Sequence, residues 1–229
     1  MLEELKAEVL KANLALVKYG LVTLTWGNVS GIDRAKNLVI IKPSGVDYEK
    51  LTIDDLVTVD MNGNVVAGKL RPSSDTPTHL ALYREFTEIG GIAHTHSEYA
   101  TAFAQACHEI TCYGTTHADH FNGPIPVTRF LFEYEIDQNY ELFTGKVITE
   151  RFADLNPQEM PAVLVAGHAP FTWGKNPVDA VNNSLVLEQI AKMAFRTILL
   201  NEGIEELPEY ILKKHYLRKH GPDAYYGQK

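Results

Sequence analysis

His94-Thr95-His96 is the short pattern best suited to chemistry, because in a strand residues two apart point to one face and both imidazoles can converge on one ion. The same pattern also serves as buried histidines satisfied by backbone groups. A further imidazole ends the run Ala162-Val-Leu-Val-Ala-Gly-His168, which reads as a buried strand, and strand ends are where open sheets build clefts. Asp75 could add a carboxylate at a helix start, or cap that helix. Imidazoles with one carboxylate suit a borderline divalent ion, zinc first, with manganese and cobalt also compatible because ligand type alone does not fix the metal.

Ser44-Gly45 after Lys42-Pro43, and Ser73-Ser74 at a helix N-terminus, could present hydroxyls and backbone N–H groups to a phosphate; Gly27-Asn28 after Trp26 is no stronger a candidate. Turn chemistry explains each pair equally well. His117-Ala118-Asp119-His120 fits a second metal cluster, a polar turn or the source of an acid/base, and spacing does not choose. Tyr225-Tyr226 fits amphipathic packing or a catalytic phenol.

Positioning these residues requires a scaffold. Leu2, Leu5, Val9, Ala12, Leu16 and Tyr19 alternate at spacings of three and four, an amphipathic helix ended by Gly20. Strand-type runs follow at Val22 to Trp26, Leu38 to Lys42 and Val57 to Met61, and Asn62-Gly63 predicts a hairpin into Asn64 to Ala67. Pro77, with Ser73, Ser74 and Asp75 before it, opens a helix to about Phe86. A strand over Gly91 to His96 and a helix over Ser97 to Ala106 come next, then a polar loop from Tyr113 to Thr128. Asn176-Pro177 and Asp179 start a helix of about 25 residues, with Val181, Leu185, Leu187, Ile190, Ala194 and Ile198 on its apolar face. A last helix runs from Pro208 to about Lys219. The pattern predicts a sheet with antiparallel pairs, covered by helices on both faces, in one domain spanning 1–229.

Composition narrows the class. A chain of 229 residues, 45% hydrophobic and 22% charged, is that of an ordinary globular protein. The formal net charge of -8 argues against a nucleic-acid surface, which needs a Lys/Arg excess. Cys107 and Cys112 form neither a disulfide framework nor a zinc-finger spacing. The opening residues lack a signal peptide's basic flank and apolar run, and no stretch approaches the roughly 20 apolar residues of a membrane span, so the expectation is a soluble cytoplasmic protein without membrane or nucleic-acid partners. Dinucleotide and P-loop fingerprints are absent.

Thr25-Trp-Gly-Asn-Val-Ser30, Ile41-Lys-Pro-Ser-Gly-Val46, Pro72-Ser-Ser-Asp-Thr-Pro-Thr-His79, Gly90-Gly-Ile-Ala-His-Thr-His96 and Gly114-Thr-Thr-His-Ala-Asp119 occur in register, followed by Lys214-His-Tyr-Leu-Arg-Lys-His220 and Ala224-Tyr-Tyr-Gly-Gln228. Together they resemble the class II aldolase/epimerase family, and within it the L-ribulose-5-phosphate 4-epimerases, over essentially the whole chain. The resemblance implies a three-layer α/β/α fold around a largely antiparallel central sheet, in a homotetramer with active sites between subunits. It implies a metal held by Asp75, His94, His96 and His168, and a sugar-phosphate substrate lined by Gly27, Asn28, Lys42, Ser44, Gly45, Ser73 and Ser74. Asp119 becomes one acid/base and Tyr226, from another chain, the other; Thr116, Glu141 and His215 fall on family positions near the site. Departures occur at Ala166 and Gly167, where more polar or bulkier residues are expected, at Ala169, where many members have Gly, and at His120, where Tyr is usual; these bear on the fine shape of the site.

The implied reaction interconverts L-ribulose 5-phosphate and D-xylulose 5-phosphate, with L-arabinose use as its setting and the L-ascorbate and L-xylulose routes ending on the same step. Its C4 hydrogen lies beta to the carbonyl and is not acidified by it, and a C4 oxidation would need a nicotinamide for which no fingerprint exists. Retro-aldol cleavage of C3–C4 and re-formation remains. The rivals are an aldolase that releases its fragments, a class that places a Glu base near Ser74-Asp75, and a non-catalytic metal- or sugar-binding module.

Overall fold

The computed structural model describes residues 2–227; Met1, Lys229 and Gln228, the last residue of the tail motif, lie outside the described residues. Helix α1 (Leu2–Lys18) buries Val9, Ala12 and Leu16, and Gly20 ends it at φ +67°. Strands β1 (Asn28–Asp33), β2 (Leu38–Ile41), β3 (Val57–Asp60) and β4 (Val65–Ala67) follow. Then come α2 (Thr76–Glu85), β5 (Gly91–His94), α3 (Glu98–Gln105), α4 (Thr115–Ala118), α5 (Glu133–Arg151), β6 (Ala162–Leu164), β7 (Pro170–Gly174), α6 (Pro177–Leu200) and α7 (Glu209–His220).

The strands form one seven-stranded sheet in the order β4-β3-β2-β1-β5-β7-β6, with every neighbouring pair antiparallel. Alternation sets the layers. Ile32, Val39, Val57, Val59, Ile92, Phe171 and Trp173 join a core with Leu80, Leu82 and Tyr83 of α2 and Ile148 of α5. Val29 and Ala93 face the other way and pack with Ala12 and Leu16 of α1 and Ala180 and Val181 of α6. The result is a sheet between two helical layers, as expected.

Four expectations need correction. Residues 22–26 are not a strand: Trp26 N–H closes a turn on Thr23, Leu24 sits at φ +53° and Trp26 is half exposed, so the β-branched run misleads and the strand begins at Asn28. The strand read through His168 stops at Leu164, where Val165 N–H bonds Ala169 and His168 N–H bonds Val165, turning the chain into β7. Part of the polar loop is the short helix α4. Helix α5 carries no clean periodicity because Asn139 kinks it (φ -171°, ψ 91°) and Tyr134, Ile136 and Tyr140 are exposed. Strand β5 ends at His94, so His96 lies beyond it.

Candidate active site

His94, His96 and His168 converge with one ligand atom each, all within 4.8 Å of one another. Their ring centroids lie 4.9 to 5.1 Å apart. His94 is opposite both Asn28 and Phe171 in the sheet register, and its ring stacks on Phe171 at 4.1 Å and 14°. Its Nδ1 donates to Pro170 O at 3.0 Å, which leaves Nε2 with the free lone pair. Burial, reinforced by the neighbouring imidazoles, pushes His94 and His168 down to about 3, and burial lowers His96 as well. All are therefore neutral at ordinary pH. His168 Nδ1 is buried with no hydrogen-bond partner. Unprotonated, converging imidazoles with an orphaned ring nitrogen fit a divalent metal.

Asp75 is not part of that compact group, but its charge opposes the downward shifts of His96 and His168. It makes no side-chain cap on α2. Instead its Oδ2 accepts from Asn28 Nδ2 at 2.6 Å, while the same amide reaches Ser73 Oγ at 3.1 Å and Asn28 Oδ1 stays buried and unpartnered. Gly27 makes this approach possible: at φ +74°, a Cβ there would stand 2.6 Å from His94 O.

Lys42 is 1% exposed, with its Nζ 4.6 Å from the centre of the Tyr48 ring and one long bond, 3.4 Å, to Pro43 O. Burial lowers its pKa, opposed by Asp47. Among the described residues no ion pair or short hydrogen bond holds this cation. Tyr48 OH reaches Trp26 O and Gly27 O at 2.9 Å, and Ser73 N–H bonds Lys42 O, so the segments carrying Gly27, Asn28, Lys42 and Ser73 are tied together. Ser44, Gly45 and Ser74 are exposed nearby in sequence, with Gly45 at φ +69°.

Asp119 belongs to a second cluster. Its carboxylate accepts from Arg218 Nε (3.0 Å) and Nη2 (2.6 Å) and from His215 Nδ1 (3.0 Å), with Lys219 Nζ at 3.5 Å. Burial tends to raise its pKa, yet these donors and charges hold it below the usual carboxylate range. Tyr226 stacks over Arg218 at 5.0 Å. The resemblance brings Tyr226 to Asp119 from another chain, whereas here the two meet through Arg218 within one chain, and among the described residues no hydrogen bond, ion pair or ring contact ties this cluster to the three histidines.

Thr116 is exposed on α4 and lines a cavity of about 140 Å³ with Tyr113, His117 and Met193. Glu141 sits just past the α5 kink, its carbonyl accepting from Thr78 Oγ1 at 2.6 Å. Gly167, one of the departures, holds φ +69° under Phe130, where a Cβ would meet the ring at 2.6 Å. His120 lies beside Lys219 and His220 and away from the metal candidates in contact terms. Phe171, Tyr48 and Arg218 are contributors that spacing did not single out; each acts through a packing contact made only by the folded chain.

Residues 7–195 match the Class II Aldolase and Adducin N-terminal domain, and the chain belongs to this family. It is 54% identical, over 228 residues and 100% of both chains, to proteins named L-ribulose-5-phosphate 4-epimerase UlaF from Salmonella paratyphi A and from Salmonella typhi. Among solved structures it is similar to L-fuculose 1-phosphate aldolase, with 28% identity, a TM-score of 0.78, and 93% of this chain and 94% of that one covered. It is also similar to YgbL, a putative aldolase/epimerase/decarboxylase from Klebsiella pneumoniae, at 25% identity and TM-score 0.71, covering 92% and 97%. Among the described residues no helix is long and apolar enough to cross a membrane.

Proposed function

We propose that this protein is an isomerase, a metal-dependent 4-epimerase of L-ribulose 5-phosphate and D-xylulose 5-phosphate. The observation that carries the metal chemistry is the convergence of His94, His96 and His168 as neutral ligands. The full-length 54% identity to named L-ribulose-5-phosphate 4-epimerases supports the substrate. Asp75, held by Asn28, is assigned as the acidic partner of the three histidines, and zinc is the ion best suited, with manganese or cobalt the alternatives.

A divalent ion in this site would supply Lewis acidity to the C2 and C3 oxygens, an effect worth several kcal/mol. The remaining work falls to the chain. Lys42, Gly27, Asn28, Ser44, Gly45, Ser73 and Ser74 line the substrate and its phosphate; the buried Lys42 cation with its one long hydrogen bond is the strongest local support. A base takes the C4 hydroxyl proton, the C3–C4 electron pair passes to the C1–C3 fragment as an enediolate, and C4 becomes the aldehyde of glycolaldehyde phosphate. That aldehyde turns over while its phosphate stays anchored, and C3 attacks the opposite face. The new alkoxide then takes a proton from the second acid/base.

Asp119 and Tyr226 are assigned these proton transfers, His215 bonds Asp119, and Thr116 and Glu141 are assigned places near the site. The lack of a contact tying the Asp119 cluster to its own chain's histidines supports a site shared between subunits of a homotetramer. So do the exposed Phe130, Phe132, Tyr134 and Ile136, which begin beside the His168 turn. We place the enzyme in the cytoplasm and in pentose use, with L-arabinose, L-ascorbate or L-xylulose breakdown as the supplying route.

A coupled assay for D-xylulose 5-phosphate from L-ribulose 5-phosphate tests the assignment, together with Asp119→Asn. Turnover by the parent protein, and most of it lost in a variant that keeps its metal and assembly, is expected. Near-normal turnover by Asp119→Asn would remove that residue from the mechanism.

A further inference from the structure

Arg218 and Lys219 both reach the two candidate acid/base residues, Lys219 with its Nζ 3.5 Å from Asp119 Oδ2 and 4.5 Å from the centre of the Tyr226 ring, but of the two Arg218 alone grips both carboxylate oxygens. Its Nε and Nη2 meet Asp119 Oδ1 and Oδ2 at 3.0 and 2.6 Å, fork against fork. Its guanidinium carbon lies 5.0 Å from the centre of the Tyr226 ring. Its backbone carbonyl accepts from the N–H groups of Tyr225 and Tyr226, at 3.0 and 3.1 Å, so the turn after α7 is folded back onto the same residue. We propose that Arg218 is a positioning residue that holds Asp119 and Tyr226 as one preorganised acid/base unit; this rests on the epimerase assignment above.

The neighbours of Asp119 divide the labour. His215 shares Oδ1 at 3.0 Å, Lys219 stands at 3.5 Å from Oδ2, and His220 Nε2 bonds the Asp119 carbonyl at 2.9 Å, all from α7, while His120 flanks it from its own segment. His215 and Lys219 each make one contact to the carboxylate and fix no plane. Only the bidentate guanidinium fixes both the carboxylate plane and, through stacking and the carbonyl, the phenol. Oδ1 accepts from both Arg218 and His215, whereas Oδ2 accepts one hydrogen bond, from Arg218, so the clamp orients Asp119 and leaves acceptor capacity on Oδ2. Lysine at 218 would keep the charge and lose the fork.

The test compares Arg218→Met, Arg218→Lys, Asp119→Asn and the Asp119→Asn/Arg218→Met pair as full-length, metal-loaded proteins. The expected result for Arg218→Met is a fall in kcat on the order of 100-fold with KM for L-ribulose 5-phosphate little changed. Arg218→Lys should recover part of the loss, to within roughly 10-fold of the parent. Because Arg218 acts on Asp119 and Tyr226 as one unit, the loss in the double variant should fall well short of the product of the two single losses. Losses that multiply in the double variant, or a lowered Tm with parental kcat, overturn the proposal. If Arg218→Met does not fold, Arg218→Lys decides: parental kcat overturns it, and a kcat deficit at parental Tm and KM supports it. Parental turnover, measured alongside, keeps the two ideas apart, since an inactive parent defeats the epimerase assignment and this proposal with it, whereas an active parent with indifferent Arg218 variants defeats this proposal alone.

Discussion

His94 donates its Nδ1 proton to the backbone carbonyl of Pro170 at 3.0 Å, and this one bond fixes the tautomer that leaves Nε2 free for a metal. The carbonyl belongs to the first residue of β7, and the next residue, Phe171, stacks on the same ring. Orientation of His94 is therefore built into the β5–β7 pairing.

Phe171→Ala should remove both core volume and that stacking. Phe171 is fully buried, so the expected cost is about 3–5 kcal/mol in urea unfolding. Zinc affinity should fall by roughly 10-fold or more, as for other losses behind a metal ligand. Chelator-competition titration checks the second part; parental zinc affinity in the folded variant would mean that Phe171 only fills space.

Gly27→Ala should damage the site at its entrance. The residue needs φ +74°, and its Cβ would press on His94 O at 2.6 Å and Val22 at 2.9 Å. Backbone strain alone costs about 1–2 kcal/mol. The displacement falls on Asn28 and on the end of β5, so reduced metal content should accompany a lowered Tm. A stable, fully metal-loaded variant would contradict this.

The reach of the sequence is visible in these same residues. His94, His96 and His168 were legible because imidazoles are scarce and chemically specific, although His96 and His168 lie beyond the ends of the strands that lead to them. The antiparallel sheet was legible from alternation and from Asn62-Gly63. Strand β1 was missed because Gly31 and the polar Asn28 and Ser30 interrupt its apolar run, their burial being set by neighbours: Ser30 bonds His79 and Tyr83. Helix α5 was missed because its exposed aromatics blur any stripe. Arg218 and Tyr48 act through rings and carbonyls remote in sequence, which no spacing rule reports.

Lys42→Met should separate stability from binding. Removing a buried cation with one long hydrogen bond leaves Tm unchanged or raised, because desolvation no longer opposes folding. KM for the sugar phosphate should rise on the order of 10- to 100-fold with loss of a buried charge-assisted contact. Unchanged KM would take Lys42 out of phosphate binding.

Stability should decline in mild acid even without metal. His79 and His117 are buried, and burial pushes them down to about 3 and about 4. In the unfolded chain both titrate near 6.5. Below that pH the unfolded state takes up protons that the folded state refuses, so their contribution is fully retained above 6.5 and lost as pH falls toward 4. At pH 5 the loss is about 2 kcal/mol for each. Urea unfolding of chelated protein at pH 7.5 and pH 5 reads it; equal stability at both values would show that these rings are protonated in the fold.

The most direct test of metal-dependent epimerisation follows L-ribulose 5-phosphate in real time with metal-loaded protein, with chelated protein, and after metal is restored, while D-xylulose 5-phosphate and free glycolaldehyde phosphate are measured together. Chelator-sensitive and metal-restorable formation of D-xylulose 5-phosphate, without accumulating aldehyde, is the expected result. Accumulation of glycolaldehyde phosphate as the main product would make the protein an aldolase, and conversion indifferent to chelation would contradict the role assigned to His94, His96 and His168.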